Sequence, residues 1–338
     1  MKDYKLVLVL GNGFDLDLDL PTSYSDFMNS SLFLDFLQEE TIRKYHKYEI
    51  TKDNILQYLH QQKNLKNWID IEVELKSLAT KTTNDINEKG HTYPKKNVAS
   101  EEIEQSFEVL RKQLCWYLNM MPYDFINKNS FSIRLLGIVN QYPELCEIIS
   151  YNYTDINKLE DLVGNINIPI DHVHGTVRDR SLIIGFQDNV EIDKSFSFMI
   201  KSFSPYFRSH NVRRKLLEAN EIIFFGHSLG ETDYHYFEDL FKFQSQPELC
   251  KESKILRIFT YDEKSRIDIL FQLRAMNNKR TDMLFELNDF EIYRTKDDSD
   301  RINNYFKQLN NRLYHNSLDG LKKYHQKLNF CPNPYRML

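Results

Sequence analysis

The sequence feature that most constrains the fold is a short apolar run that ends in two closely spaced glycines. Residues 5–10 read KLVLVL, and Gly11, Asn12 and Gly13 follow directly. A continuous apolar run of this length is typical of a strand that is buried on both faces, as the strands of parallel sheets are. The sequence therefore predicts an α/β protein with a mostly parallel sheet that contains this strand.

The remainder of the chain divides by its pattern into helical and strand-rich stretches. Five further short apolar runs, several of them followed by helices, predict strands. These runs lie at residues 146–151, 168–173, 181–184, 221–225 and 254–260. Before them the pattern is helical, with a polar stretch at residues 80–100 that predicts a mobile loop. We therefore predict a Rossmann-like core over residues 1–30 and 141–295, a helical insertion over 31–140 and a helical C-terminal tail over 296–338.

Composition and charge exclude several classes of protein. Charged residues make up 28% of the chain and apolar residues 41%, which is typical of a globular protein. The longest apolar runs are far shorter than the roughly 18 residues that cross a membrane, and no signal-peptide pattern is present. The net charge of −5 argues against duplex DNA as a partner. Basic residues concentrate at 208–215, where they either face solvent or clamp a nucleotide phosphate. We expect a soluble, cytoplasmic protein without a membrane partner.

Glycine is scarce, and its positions indicate a site. The chain has ten glycines, and six of them stand at or just past the ends of predicted strands. These six are Gly11, Gly13, Gly175, Gly185, Gly226 and Gly230. Ligands of doubly wound sheets bind at the carboxyl ends of the strands, where glycine lets the backbone turn sharply or approach a ligand. We predict one binding site there, against the simpler interpretation that glycine ends strands in any fold.

The loop after the first strand carries the first candidate site residues. Gly11-Asn12-Gly13-Phe14-Asp15 matches neither the full dinucleotide fingerprint nor a Walker sequence. Backbone amides freed in such a turn nevertheless predict a cradle for a pyrophosphate. Asp15 would repel a phosphate, so we expect it at the ribose or at the reacting end of the ligand.

Two later strand ends add side chains suited to a sugar and to proton transfer. Asn152 can hold a sugar hydroxyl or a water, although a helix cap is an alternative interpretation. His174 precedes Gly175, which leaves room for substrate, and histidine is a common general base near neutral pH. We favour His174 over His172, which we expect to lie deeper, with its imidazole satisfied in the core.

Metal chemistry is one alternative for this pair. His172 and His174 share one face of their strand, which would suit a metal ion. No third ligand at sensible spacing accompanies them, and the four cysteines of the chain form no CxxC pair. We therefore expect no metal.

A serine hydrolase is a second alternative. Gly226, His227 and Ser228 begin the motif GHSLG, which matches the nucleophile pattern G-x-S-x-G. Asp262 and His315 would be the candidate partners of Ser228. Contact of the same motif with a cofactor fits the sequence equally well.

Six motifs, taken in their order along the chain, resemble the abortive-infection AbiH family of phage-defence proteins. They are GNGFDLDLDLPTSYSDF, WIDIE at residues 68–72, SYNYTD, HVHG, IIGFQDN and FGHSLGETD. The resemblance extends from residue 7 to about residue 262 and departs from the family pattern at Asp19, where we expect glycine. It implies a phage-defence effector and leaves open a phage-derived trigger, a partner protein and a homo-oligomer.

The order of the motifs is also similar, more distantly, to that of sirtuin-like domains, which have a Rossmann-like fold and bind NAD. This similarity implies residues 11–15 at the phosphates, Asn152 and His174 at the nicotinamide ribose, and residues 226–228 near the adenosine. The chain lacks the four-cysteine zinc module of the deacetylases in that superfamily, so deacetylation is not implied.

Together these resemblances imply that the protein binds NAD, or a related nucleotide, and hydrolyses the bond between nicotinamide and ribose. Asn152 would orient the water or the ribose, His174 would act as the base, and Asp15 would help to stabilise the developing positive charge or contact the nicotinamide end. The alternatives are a nucleotide-binding sensor that signals through assembly without turnover, and a hydrolase that depends on Ser228.

One further prediction concerns the helical insertion. Trp68, Asp70 and Glu72 fall on a predicted helix over the mouth of the pocket, and Trp68 and Glu72 share a face at helical spacing. We expect Trp68 to pack and Glu72 to reach the site that Asp15 and Asn152 form, against the alternative of a buried tryptophan beside solvated carboxylates.

Overall fold

The computed structural model of the chain describes residues 4–37, 55–62, 68–88 and 98–329. Its centre is a sheet of six strands. These are β1 Leu6–Leu10, β2 Cys146–Ser150, β3 Ile170–His172, β4 Glu221–Phe225, β5 Ile255–Thr260 and β6 Asp289–Arg294. All pairs are parallel, and the strand order is β3-β2-β1-β4-β5-β6. This is the order of doubly wound Rossmann folds, so the predicted fold class is confirmed.

Strand β1 lies at the centre of the sheet, which explains its continuous apolar sequence. Leu8 stands opposite Ile148 of β2 and Ile223 of β4. All five residues of β1 are buried, as expected for a strand whose two faces are both covered. The strand order reverses between β1 and β4, and the loops that leave these strands form the crevice where open α/β sheets bind ligands.

Helices flank the sheet on both sides. Before β2 they are α1 Asn12–Asp17, α2 Tyr24–Met28, α3 at residues 31–37, α4 Ile55–Gln61, α5 Trp68–Glu88, α6 Val98–Asn119 and α7 Phe131–Val139. After β2 they are α8 Glu160–Val163, α9 Val212–Glu218, α10 Tyr234–Gln244, α11 Glu263–Met276, α12 Thr281–Leu287 and α13 Ser299–Asn329.

Helices α5 and α6 share a hydrophobic core with a segment that follows β3. Ile71 and Leu75 of α5 and Phe107 of α6 belong to one buried cluster with Phe186 and Phe196. The helical stretch after the first strand is therefore packed against the part of the chain that connects β3 to β4. The predicted domain boundaries stay a prediction.

Helix α13 packs its first half on the sheet. Its residues Ile302, Tyr305, Phe306, Leu309 and Leu313 are buried in the core around β1. No helix in the described ranges, α13 included, is long and apolar enough to cross a membrane.

Two strand predictions differ from the structure. Residues 181–184 form no strand; Leu182 and Ile184 are buried in the core shared with α5 and α6, so their apolar character reflects burial and not sheet pairing. Strand β6 was not predicted, because its buried Phe290 and Ile292 alternate with more exposed residues over a short stretch at the edge of the sheet.

The prediction of a loop at residues 80–100 is wrong for the residues that the structure describes, 80–88 and 98–100. Residues 80–88 continue α5, and residues 98–100 begin α6. The hydroxyl of buried Thr83 donates to the carbonyl of Ala79 and accepts from the amide of Asp193, so the polar sequence is accommodated in the helix. Residues 89–97 lie outside the described ranges.

Candidate functional site

A cavity of about 690 Å³ lies at the carboxyl ends of β1 and β4. Its wall is formed by the segments after β1, β2, β3, β4, β5 and β6, with contributions from α1, α5, α6 and α11. Nine of the ten predicted site residues line it. They are Gly11, Asn12, Gly13, Asp15, Asn152, His174, Gly226, His227 and Ser228. The structure thus brings together side chains that the sequence separates by more than 200 positions.

Phe14 is the predicted site residue that does not line this cavity. Its side chain is buried in the core, where its ring meets the edge of Phe225 at a centroid distance of 5.7 Å. Phe14 therefore packs α1 onto the sheet.

The glycines of the two central loops pack against each other. A Cβ atom on Gly11 would lie 2.5 Å from the Cα of His227, and one on Gly13 would lie 2.6 Å from the Cα of Gly226. Gly226 has a φ of +63°, a conformation that strains other residues. These glycines are required by the close approach of two backbones.

The predicted cradle of free amides is not formed by this loop. The amide of Gly11 donates to the carbonyl of Phe225 at 3.0 Å, and that of Gly13 donates to Gly226 at 2.9 Å. The amide of Phe14 donates to the carbonyl of Gly11. Three donors expected for a pyrophosphate are thus already used within this loop and in its contact with β4.

Asp15 projects a buried carboxylate into the wall of the cavity. It accepts a hydrogen bond of 2.8 Å from the hydroxyl of Thr154. Burial raises the pKa of Asp15 to about 7, and the polar groups of Thr154 and Asn152 beside it only partly oppose this rise. Asp15 can therefore change its charge near neutral pH.

Three buried polar groups of the cavity wall offer unused hydrogen-bonding capacity. The side-chain nitrogen of Asn152 and the hydroxyls of Tyr151 and Thr232 have no partner of normal hydrogen-bond geometry in the described part of the chain. Such groups are costly unless a ligand or water satisfies them. The cap interpretation of Asn152 is wrong, because the side chain of Asp155 caps the helical turn that follows.

A buried charge cluster, formed by Glu72, His174, Lys201, His227 and Asp233, lies beside these groups. The ammonium of Lys201 is 2.6 Å from Glu72 Oε1 and 3.8 Å from Asp233 Oδ1. His174 Nε2 lies 3.4 Å from both Asp233 Oδ1 and Lys201 Nζ. His227 Nε2 is 3.7 Å from the other oxygen of Asp233. Helix α5 and three separate loops meet in this cluster.

Mutual attraction sets the charges of the buried charge cluster. Burial alone would raise the pKa of Asp233, but Lys201 and His174 hold it well below its usual range. Burial alone would lower the pKa of Lys201, but Glu72 and Asp233 raise it above its ordinary value. Burial lowers the pKa of His227 to about 4. At neutral pH Lys201 and Asp233 are therefore charged and His227 is neutral.

Glu72 reaches the site, as predicted. It lines the same cavity as Asp15 and Asn152 and pairs with Lys201. Trp68 and Asp70 lie on α5, but their side chains fall outside what the structure describes.

The prediction that His172 lies deeper than His174 is wrong. His172 ends β3 and is partly exposed, and its Nδ1 has no hydrogen-bond partner among the described residues. His174 is buried and contacts Asp233 and Lys201. The residues that the structure describes contain no group of three or more His, Cys, Asp or Glu side chains arranged to hold a metal ion.

The hydrolase triad is not assembled. Ser228 lines the cavity, but the carboxylate of Asp262 accepts the amide of Ser265 and caps α11. His315 is an exposed residue of α13 and does not line the cavity. The two partners that the sequence suggested for Ser228 therefore do not join it at the cavity.

The basic stretch at 208–215 forms no phosphate clamp at this cavity. Arg213 pairs with Asp239, and Lys215 pairs with Glu147 and Asp171. None of the basic residues of the stretch lines the cavity.

Lys201, Asp233 and Tyr151 are functional candidates that sequence reasoning missed. Asp233 is the last residue of the motif FGHSLGETD, so the sequence marked its position but did not indicate its role. Lys201 begins a short 3-10 helix, Lys201–Phe203, and belongs to none of the quoted motifs.

Comparison with known families identifies the context of this site. The model of the family described as bacteriophage abortive infection AbiH matches residues 7–250. The chain belongs to the AbiH family. This membership assigns it to abortive-infection defence against phages and covers every residue of the buried charge cluster. A search of the curated proteins found no match. The likeness of this AbiH-family chain to sirtuin-like domains stays a prediction.

Proposed function

We propose that this AbiH-family protein binds NAD in the cavity between β1 and β4 and hydrolyses the bond between nicotinamide and ribose. The observation that carries the proposal is that Asp15, Asn152 and His174 line one cavity. They follow three neighbouring strands, at the place where Rossmann sheets bind nucleotides.

Hydrolysis of the bond between nicotinamide and ribose requires the protein mainly to stabilise positive charge and to position the reactants. The nicotinamide of NAD is already cationic, so it leaves as a neutral molecule with the bond electrons and needs no general acid. The ribose then carries positive charge, as in glycoside cleavage. The Asp15 carboxylate can stabilise that charge from the wall of the cavity.

Asn152 and His174 supply the remaining parts of the reaction. The amide nitrogen of Asn152, which has no partner of normal hydrogen-bond geometry among the described residues, can hold a ribose hydroxyl or the attacking water. The water adds to the ribose carbon and gives its proton to His174, and nicotinamide and ADP-ribose are the products. General base assistance contributes roughly 10²–10⁴-fold in rate, with positioning supplying much of the rest.

The charges of the cavity favour one orientation of the dinucleotide. Asp15, Asp17 and Asp19 line the side near β1, which attracts the nicotinamide cation and repels a diphosphate. Lys296, which follows β6, is a cationic side chain on the lining. We assign the diphosphate to the side of Lys296, since the amides of Gly11 and Gly13 are engaged.

Nicotinamide release from NAD tests the proposal directly. Purified protein is incubated with NAD, with and without a lysate of phage-infected cells, and nicotinamide is quantified by chromatography. We expect release from the unmodified protein and at least a roughly 100-fold lower rate from Asn152→Ala and His174→Ala. His315→Ala, which changes an exposed histidine of α13, is the matched control and should retain activity.

Two outcomes would contradict hydrolysis. Binding of NAD by calorimetry without nicotinamide release, with or without the lysate, would favour the sensor that signals through assembly. Labelling of Ser228 by a fluorophosphonate probe, with loss of activity in Ser228→Ala alone, would favour the serine hydrolase.

A further inference from the structure

We propose that Asp233 is the positioning residue of His174, and that Lys201, anchored by Glu72 of helix α5, holds Asp233 in place. The inference rests on the proposed function, in which His174 accepts a proton. It adds three residues to that reaction and makes one of them a contribution of the helices inserted after β1.

The contacts of His174 determine which of its nitrogens can act. Nε2 lies 3.4 Å from Asp233 Oδ1 and 3.4 Å from Lys201 Nζ, so it is engaged inside the buried charge cluster. The edge of Tyr151 meets the ring at a centroid distance of 5.2 Å and an interplanar angle of 89°. The Asp233 carboxylate, which can only accept, favours the tautomer with the proton on Nε2, whereas the Lys201 ammonium, which can only donate, favours the reverse. We assign the first tautomer, in which Asp233 holds the proton on Nε2 and the lone pair of Nδ1 is left to accept a proton in the cavity.

The buried charge cluster places a net negative charge next to His174. Glu72 and Asp233 contribute two carboxylates and Lys201 one ammonium, while His227 is neutral at pH 7. The cluster therefore carries one net negative charge in a buried place. A proton that the attacking water gives to His174 cancels this charge.

Glu72 makes the cluster depend on α5. It provides the closest contact of Lys201, at 2.6 Å, and both side chains are buried. Without Glu72, Lys201 would be drawn fully to Asp233 and would compete with His174 for the same carboxylate. The packing of α5 against the segment after β3 is therefore part of the site.

Titratable groups from all neighbouring elements have to be considered for this inference. Those that face His174 or interact with it electrostatically are Glu72, Tyr151, Tyr153, Lys201, His227, Asp233 and His235. Burial raises the pKa of both tyrosines well above the ordinary value, and it lowers that of both other histidines, so these four stay uncharged at neutral pH.

Titration of the His174 ring by NMR tests the inference without requiring activity. Its signals are assigned by their absence in His174→Gln. Asp233→Asn leaves the cluster neutral and should move the titration midpoint of His174 to lower pH. Lys201→Met leaves two uncompensated carboxylates and should move it to higher pH. We expect each shift to be about one pH unit or more, because the changed charges lie close to the ring.

A double variant and a matched control keep the test decisive. Glu72→Gln with Lys201→Met removes a complete ion pair, restores one net negative charge, and should return the midpoint close to that of the unmodified protein. This variant also serves if Lys201→Met alone does not fold. Lys215→Met is the control, because Lys215 also pairs with two carboxylates, Glu147 and Asp171, but outside the cavity. It should leave the midpoint unchanged.

Kinetics complete the test and separate the two proposals. Asp233→Asn should lower kcat for NAD about 10–100-fold, with KM changed less than about threefold, because proton transfer is affected and NAD binding is not. NAD hydrolysis with no opposite shifts in the two single variants would overturn the role of Asp233. Opposite shifts in a protein that never releases nicotinamide would support the positioning of His174 and overturn the proposed function.

Discussion

The Thr154 hydroxyl donates a hydrogen bond of 2.8 Å to the Asp15 carboxylate, and both side chains are buried. This bond joins the loop after β1 to the loop after β2. A hydroxyl replaces only part of the hydration that a carboxylate loses, so burial raises the pKa of Asp15 to about 7. Ionisation of Asp15 therefore lowers the stability of the folded protein. Near neutral pH, however, a large fraction of Asp15 is ionised and can act in the site.

Protein stability should fall as the pH rises because of Asp15. The ordinary pKa of this carboxyl is 3.8, and in the folded protein it is about 7. Between these values the folded protein keeps a proton that the unfolded chain has lost. The contribution of Asp15 to the free energy of unfolding therefore decreases from about pH 4 to about pH 7, by up to about 4 kcal/mol.

Asp15→Asn should remove this dependence, and urea unfolding at pH 5 and pH 8 measures it. The variant should lose less stability between these pH values than the unmodified protein does. Asp188→Asn, which changes an exposed carboxylate, is the control and should keep the original slope. Identical slopes in the unmodified protein and in Asp15→Asn would contradict the burial of an ionisable Asp15.

The contact between the glycines of the central loops predicts a large effect of a single methyl group. A Cβ atom on Gly13 meets the backbone of Gly226 at 2.6 Å, and neither backbone can move without breaking the bond between the Gly13 amide and the Gly226 carbonyl. We expect Gly13→Ala to destabilise the protein by about 2 kcal/mol or more in thermal unfolding. Gly137→Ala in α7 is the control, since its nearest neighbour is a methyl of Val163 at 3.9 Å. Helix propensity predicts that Gly137→Ala is neutral or stabilising by up to about 1 kcal/mol.

The sequence was sufficient to predict the sheet class and the edge where the site lies. Asp15, Asn152 and His174 follow three strands that are neighbours in the sheet, and strand ends are visible in the hydrophobic pattern. Parallel strands bring their carboxyl ends to one edge, so the hydrophobic pattern alone is enough to group these residues.

The buried charge cluster could not be predicted in the same way. Lys201 lies in a segment of short 3-10 helices whose residues Phe196 and Met199 are buried against α5 and α6. Packing of this kind produces no regular hydrophobic pattern in the sequence, so the position of the Lys201 ammonium could not be predicted. The engaged amides of Gly11 and Gly13 were missed for a related reason, because they depend on how closely the loop after β4 approaches.

A second buried carboxylate predicts a strong effect on stability, away from the cavity. Glu221 begins β4 with an exposed fraction of 0% and accepts hydrogen bonds from Tyr4, from Tyr305 at 2.7 Å and from Arg312 at 2.6 Å. These bonds attach α13 to the sheet. Glu221→Gln leaves the guanidinium of Arg312 without its counter-charge, so we expect a loss of about 3 kcal/mol in denaturant unfolding.

An exposed ion pair of similar geometry is the control for Glu221. Glu291 and Arg301 pair at 3.1 Å on the surface, and Glu291→Gln should cost less than about 1 kcal/mol. The combination of Glu221→Gln with Arg312→Met should be less damaging than the sum of the two single changes. Strict additivity would show that Glu221 and Arg312 do not stabilise each other.

The proposed binding of NAD predicts that Lys296 contacts the diphosphate. The amide of Lys296 donates to the carbonyl of Tyr261, and its ammonium lies 5.6 Å from the centre of the Tyr261 ring. Both residues line the cavity. Lys296→Ala should weaken NAD binding about tenfold in calorimetry, since one exposed charge contact is lost. It should leave the affinity for nicotinamide riboside, which has no diphosphate, unchanged. Lys264→Ala removes an exposed lysine that does not line the cavity and should affect neither ligand. An equal loss of affinity for NAD and for nicotinamide riboside in Lys296→Ala would show that Lys296 does not contact the diphosphate. The proposed orientation of NAD, with its nicotinamide near Asp15, would then be wrong.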